Sequence, residues 1–357
     1  MNNKLVIKPI EPMNVCNIIP KQKTNKEIFR IGFSANYGGH TRELYSGVHL
    51  AVEEYLKNKE RDYNIELLWE DSSFSYESSK KAANQLINRG ANAVIGHLSA
   101  NQSLAAATVY SDIGIPFFAT GTTHPDLTKQ GYDNLLRFCG KDNDMAEEMI
   151  KLATSFSNKK SLKIIYQENN YGQQLSTLLE KKSNENGLLI DKEILNSTDS
   201  LSIKSNQTVL YAGTYEGALQ LLKILSEQSF RGEVIFGDDV FVADFPFLIS
   251  KNMNMNLYTI STGRELFGLD YNEFTKKYKE KALIGPGAYS VTSYLATKLL
   301  LTNIPILKKY GYKKLIYTLK NGVKIDNLEK ISFSPNGDIL DFTWDVYKIK
   351  NENFHIF

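Results

Sequence analysis

The chain has 357 residues, 42 Lys and Arg against 40 Asp and Glu, and a formal net charge of +2. That length suits two domains rather than one core, and the near-balanced charge argues against a nucleic-acid partner. Cys16 and Cys139 form no Cys-x-x-Cys pair and the histidines no His-x-x-x-His pair, so the sequence indicates neither a metal site nor a redox thiol pair.

Residues 1–27, interrupted by prolines and lacking a continuous apolar run, read as a flexible leader and not as a signal peptide. No segment approaches the ~18 apolar residues of a membrane span. From residue 28 a regular alternation begins. The segment "IFRIGFS" reads as a strand, and "RELYSGVHLAVEEYLKN" as a helix with Leu44, Val48, Ala51 and Tyr55 on one face. Strand "YNIELLWEDS" is followed by helix "YESSKKAANQLINRG", which closes at Gly90. Then come strand "ANAVIGH", helix "NQSLAAATVYSDIG", strand "IPFFAT", a short helix and turn over "HPDLTKQGYDN", and strand "LLRFCG". A second round follows: helix "DMAEEMIKLATSFSN", strand "LKIIYQENN", helix "YGQQLSTLLEKKSNENG", strands "LIDKEIL" and "TVLYAG", helix "YEGALQLLKILSEQ", and strands "GEVIFGDD" and "LYTIST". Helices are expected over 270–281, 285–302 and 312–321, and alternating strands at the end, split by turns at Pro335-Asn336-Gly337 and Asn351-Glu352-Asn353. The order predicts an α/β chain with doubly wound parallel sheets in two lobes and no low-complexity linker.

In such sheets ligands bind beyond the carboxyl ends of strands, against helix N-termini. After "AVIG" the chain places Ser99, Ala100, Asn101 and Gln102 there, where free backbone N–H groups favour a carboxylate. The plainer role is an N-cap by Ser99 or Asn101. The next strand ends in "ATGTTHPDLT", with Gly121 and the hydroxyls of Thr120, Thr122 and Thr123. In the second round Tyr171-Gly172, Gly213 and the pair Asp238 and Asp239 follow strands. One lobe thus offers hydroxyls suited to a carboxylate, the other aromatics and acids suited to an ammonium group. His97 and His124 fall near these loops and read as polar wall or cap. G-x-G-x-x-G after the first strand, G-x-x-x-x-G-K-[ST] and G-x-S-x-G are all missing, and no catalytic set is recognisable, so the chain reads as a non-enzyme without a cofactor.

The order "YSGVHLAVEEYL", "ELLWEDSSFSYESSKKAANQLI", "AVIGHLSANQSLAAATVYSDIGIPFFATGTTHPDLT", "LLRFCGKDND" and "IIYQENNYGQQL", with "ISFSPNGDILDFTWDVYKI" near the end, resembles the type I periplasmic binding proteins. Within them it is similar to the leucine/isoleucine/valine-binding-protein-like receptors of ABC importers. The resemblance implies two lobes joined by three crossings near 139–142, 262–266 and 328–332, with a ligand in the hinge cleft. Lobe 1 would hold 28–140 and 265–328, and lobe 2 would hold 141–264 and 329–357. It implies a ligand ammonium met by the carbonyl of Gly121 and by Asp239, with Thr123 kept as the family's Thr. Tyr171, Tyr289, and Thr214 with Tyr215 beside it would be pocket walls, and His40 or Tyr37 would line the first loop. The family's carboxylate-binding Ser falls at Ala100, with Ser99 adjacent. That departure favours a modified amino acid, an amide or another small polar molecule over a simple branched aliphatic amino acid. Tyr171 and Tyr289 could equally be packing residues under the loops.

The implied function is a monomeric extracytoplasmic receptor, periplasmic or cell-surface, that closes on a small polar ligand and delivers it to the membrane subunits of an ABC importer. The alternative is a cytoplasmic ligand sensor on the same fold, signalling to a partner protein.

Overall fold

A computed structural model describes residues 25–36, 38–73, 75–156, 161–196, 201–204, 207–249 and 253–357. Cys16, Tyr37 and the leader as far as residue 24 lie outside them. The chain forms two compact units. The first runs to Thr122 and adds Asp126–Cys139 and Thr292–Leu340; the second takes Thr123–Pro125, Gly140–Val291 and Asp341–Phe357.

In the first unit, strands β1 (Glu27–Ala35), β2 (Tyr63–Asp71), β3 (Ala93–Gly96), β4 (Phe117–Ala119) and β5 (Leu135–Arg137) alternate with helices α1 (Gly39–Lys57), α2 (Tyr76–Asn88) and α3 (Ala100–Ile113). The sheet order is β2-β1-β3-β4-β5, and every pairing is parallel. Its strands are apolar because helices cover both faces: Phe29, Ile31, Phe33, Val94, Ile95, Phe117 and Phe118 are all buried. Local sequence starts and stops the helices. Ser75 and Ser78 form a reciprocal cap on α2, and α3 ends at Gly114 in the left-handed region.

The second unit continues with α4 (Asp142–Ser155), β6 (Ser161–Tyr166), α5 (Asn170–Glu185), β7 (Leu189–Ile194), β8 (Thr208–Ala212), α6 (Tyr215–Glu227), β9 (Glu233–Phe236), a short α7 (Phe245–Leu248), β10 (Asn256–Thr262) and α8 (Tyr271–Ala282). From Thr292 the chain is again in the first unit, with most of α9 (Ser290–Thr302), α10 (Ile304–Lys320) and the short pair β11 (Val323–Lys324) and β12 (Lys330–Ile331), and it ends in the second unit with β13 (Trp344–Lys350) and β14 (Asn353–Ile356). The second sheet runs β14-β13-β10-β9-β8-β6-β7. It is parallel from β10 to β7, while β13 and β14 pair antiparallel as the chain end closes one edge. Two apolar layers flank this sheet, one around Leu221, Phe236 and Phe245 and one around Met149, Ile164 and Ile260.

Three segments differ from the sequence expectation. Thr123–Pro125, expected in lobe 1, goes with the second unit, where the Thr123 carbonyl accepts the Asp142 N–H at 3.1 Å. Residues 265–291, expected in lobe 1, go with the second unit. The Thr262 hydroxyl donates to the Ala288 carbonyl at 2.7 Å, the Ala288 N–H to the Phe241 carbonyl at 3.0 Å, and the Ser290 hydroxyl to Tyr278 at 3.0 Å. Residues 329–340, expected in lobe 2, go with the first unit because Asp338 pairs with Arg137. Helix α10 also starts earlier than the expected 312: Pro305 opens a first turn, and Gly311, at φ 79°, carries a kink that hides the continuity.

Arg137, 0% exposed, donates through Nε and a terminal nitrogen to Oδ1 of Asp338 at 2.9 and 2.5 Å, and to the Thr128 hydroxyl at 3.1 Å. Around it, the Arg137 N–H donates to the Gly337 carbonyl and the Ile339 N–H to the Arg137 carbonyl. Asp338→Ala leaves a buried guanidinium without its carboxylate, and is expected to cost about 3 kcal/mol in urea unfolding. The exposed pair Lys129–Asp126 is the control: Asp126→Ala is expected to cost under about 1 kcal/mol. Equal losses would show that the Arg137 pair is not what ties 334–340 to β5.

Candidate functional site

In the first unit the polar loops gather at the carboxyl ends of β1, β3 and β4. Gly96 has φ +125°, and a Cβ there would lie 2.2 Å from the carbonyl oxygen of Ser34 on β1. Only glycine permits that approach. His97 follows, fully buried, with Nε2 3.0 Å from the Tyr110 hydroxyl. Ser99 caps α3: its hydroxyl faces the Gln102 N–H at 3.5 Å, and its own N–H donates to Gln102 Oε1 at 2.9 Å. Gln102 Nε2 then donates to Asn36 Oδ1 at 3.1 Å and to the Ser73 carbonyl, tying α3 to the ends of β1 and β2.

Several sequence-chosen residues therefore have structural partners. Ser99 is the cap. Ala100 opens α3, and Asn101 is exposed on its first turn. The Thr122 hydroxyl is 2.5 Å from that of Ser103 and 3.3, 3.2 and 3.4 Å from the carbonyl oxygens of His97, Leu98 and Ser99. It braces the β3–α3 turn from below. Gly121 is buried, and a Cβ there would meet Leu98 at 3.3 Å. His40 is buried in the first turn of α1, 2.8 Å from Glu43.

In the second unit the sequence-chosen residues form two clusters. The Tyr171 hydroxyl, from the first turn of α5, donates to Asp238 Oδ1 at 2.9 Å, and the Tyr289 hydroxyl donates to Asp238 Oδ2 at 3.0 Å. Asp238 is 1% exposed, in the tight turn after β9. Burial above all, and then the charges of Asp238 and Asp142, push the Tyr171 pKa well above its ordinary value. The phenol thus stays protonated and can donate. The second cluster sits at the start of α6. Asp239 Oδ1 accepts the N–H of Tyr215 at 2.7 Å, while the N–H and hydroxyl of Thr214 donate to Gln167 Oε1 at 2.7 and 3.1 Å. The Tyr215 ring packs on the apolar layer beneath. Thr123 contributes its carbonyl to the Asp142 N–H at 3.1 Å.

Sequence reasoning did not single out Gln167, Asp142 or Gln174. Gln174 donates to the buried Asp142 carboxylate at 3.0 Å. Gln167 follows β6 directly, and its place at a strand end was the available signal. Among the described residues no group of three or more His, Cys, Asp or Glu could hold a metal ion. Cys139 is buried, its thiol 3.3 Å from the Thr122 carbonyl.

The family described as "Receptor family ligand binding region" matches residues 44–351. The chain belongs to this family. Its match runs through both units of the receptor fold. A Leu/Ile/Val-binding protein from Rhizobium johnstonii is 25% identical over 290 residues, 75% of each chain. A leucine-binding protein from Thermotoga maritima superposes with a TM-score of 0.79 at 20% identity, covering 92% of this chain and 97% of that one. An ABC transporter substrate-binding protein from Desulfitobacterium hafniense, in complex with Leu, gives 0.76 at 20% identity over 93% of this chain and all 100% of that one. These likenesses confirm the two-lobed type I periplasmic binding protein fold.

His97 gives this receptor-family chain a pH signature. Burial lowers its pKa from 6.5 to about 3, so the folded chain holds it neutral while the unfolded chain protonates it first. The associated stability is complete above the unfolded value and is lost as pH falls from there, at about 1.4 kcal/mol per pH unit. In urea unfolding at pH 7 and pH 5, His97→Gln should lose about 2 kcal/mol less than the unsubstituted chain. Equal losses would show that His97 does not set the acid limb.

Proposed function

We propose that this chain is an extracytoplasmic solute-binding receptor that holds the ammonium group of a small amino-acid-like ligand on Asp238, between the hydroxyls of Tyr171 and Tyr289. It delivers that ligand to the membrane subunits of an ABC importer, and like the rest of its family it binds without catalysing. The observation that carries the ligand reading is Asp238 itself. It is a buried carboxylate at a strand end, with each oxygen held by a tyrosine hydroxyl. Two such donors orient the carboxylate, and an ionised carboxylate only accepts, which suits it to a cationic donor. The relatives named for Leu, Ile and Val, and the neighbour holding Leu, support an α-amino acid as the parent ligand.

Asp239 and Asp238 divide the work expected of one residue. Asp239 anchors the first N–H of α6, a charge-assisted bond at a helix N-terminus that fixes the loop. At α3, in the first unit, Ala100 supplies no hydroxyl and the Ser99 hydroxyl faces the helix N–H.

The test is calorimetry against L-amino acids, their amides and their N-acetyl forms. Free amines are expected to bind and N-acetylated forms not to. Asp238→Asn is expected to lower affinity by about tenfold or more. Asp239→Asn is expected to lower the unfolding temperature and to change affinity less. Binding that survives Asp238→Asn, or N-acetylated ligands that bind as well as free amines, would remove Asp238 as the ammonium anchor.

A further inference from the structure

Helix α10 of the first unit departs from the even charge of the chain. Between Ile304 and Lys320 it carries Lys308, Lys309, Lys313, Lys314 and Lys320 and no acidic residue. Lys308 is taken by Glu27, and Lys320 donates to the Pro335 carbonyl at 2.7 Å. Lys309, Lys313 and Lys314 are exposed, and among the described residues none of them has a carboxylate partner. Tyrosines lie among them. Tyr310 is 58% and Tyr317 63% exposed. The ammonium of Lys309 sits 5.0 Å from the Tyr310 ring centre and that of Lys314 5.1 Å from the Tyr317 ring centre. The end of α3 adjoins the same helix: Gly114 lies against the Tyr312 ring, the Tyr312 hydroxyl reaches Asp133 at 3.4 Å, and Ile113 is 62% exposed. The inner face of α10, with Leu315, Ile316 and Leu319, is buried. Core packing thus explains half of the helix and not the lysine–tyrosine half.

We propose that the exposed lysines and tyrosines of α10, on both sides of its kink at Gly311, rest on an anionic lipid surface. Three features favour lipid over a protein partner. All the cations are lysines, whose ammonium is a compact point charge; protein interfaces favour the forked arginine and are depleted in lysine. The aromatic residues are tyrosines, which settle at headgroup level with the ring in the apolar boundary and the hydroxyl in water. Lysine stems also lie along apolar surface while their charges reach phosphate. This contact would hold a solute receptor near the plane where an importer works, but it does not depend on the ligand site.

Full-length protein is sedimented with phosphatidylcholine vesicles, with and without about one third phosphatidylglycerol, in about 0.1 M and about 1 M salt. Binding is expected only to the anionic vesicles and only at the lower salt. Each lysine at such a surface contributes about fivefold. The Lys309→Gln, Lys313→Gln, Lys314→Gln variant should therefore lose on the order of a hundredfold in partitioning. Tyr317→Ser should weaken binding without altering its salt dependence. The substituted side chains are exposed, and an unchanged unfolding temperature and unchanged ligand affinity confirm that each variant is folded. No sedimentation with anionic vesicles, equal sedimentation with neutral ones, or a lysine variant that binds as before would overturn the proposal. Lysine-dependent capture of importer subunits in detergent, without vesicle binding, would also overturn it and assign the face to an acidic protein surface.

Discussion

A parallel strand cannot turn back into its neighbour; it must hand the chain to a crossover that returns along the outside of the sheet. In both units this makes each strand's carboxyl end the entrance to a helix or a tight turn. The strands Ala93–Gly96 and Thr208–Ala212 are buried along their whole length, so most of the polar chemistry collects at those entrances. In the first unit that gives Ser99, Gln102 and Thr122 around the start of α3. In the second it gives Tyr171, Thr214, Asp238 and Asp239. Much of this polarity first satisfies the fold. Caps, turn carbonyls and strand-end N–H groups must be bonded before any group can serve a ligand.

Two buried charges are held in different ways. Arg137 meets its counter-charge within its own unit, and Asp338 together with Thr128 answers its donors. That pair ties a late segment of chain to β5. Asp238 is held instead by the hydroxyls of Tyr171 and Tyr289, while its N–H faces the Met145 sulfur at 3.3 Å. The free energy of taking this carboxylate out of water is incurred when the chain folds, not when a ligand arrives. A cation that reaches it meets an acid already oriented and largely dehydrated, which is the condition for tight binding by few contacts. Exposed Asp126, paired on the surface with Lys129, has the same charge and no such advantage.

The course of the chain was legible in its sequence because parallel α/β units repeat two periods, an apolar run and then a helical stripe. A cap on α3 by Ser99 or Asn101 was legible too; that it is Ser99, paired with Gln102, was not. The different partners of Asp238 and Asp239 were not legible either. The pleat assigns faces only while the chain stays extended. Strand β9 ends at Phe236, and both acids lie in a three-residue helical turn whose orientation the packing of Tyr171 and Tyr289 sets. Tyr289 lies 51 positions from Asp238, a separation no local pattern encodes. The same limit applies at 265–291 and 329–340. Nothing in those segments names the unit they join; that choice rests on distant partners such as Phe241 for Ala288 and Arg137 for Asp338.

A net charge of +2 describes the whole chain and none of its parts. In the second unit the Asp238 carboxylate is buried, and a charge in a poorly polarisable interior acts strongly on whatever comes within a few ångströms. Along α10 each exposed ammonium is surrounded by water and screened within about 8–10 Å, so a single lysine would do little. Lys309, Lys313 and Lys314 act over a plane rather than at a point, which is why they need no defined partner and no burial. The near-cancellation of 42 basic and 40 acidic residues therefore hides two opposite uses of charge: one acid made strong by its surroundings, and several bases made effective by their number.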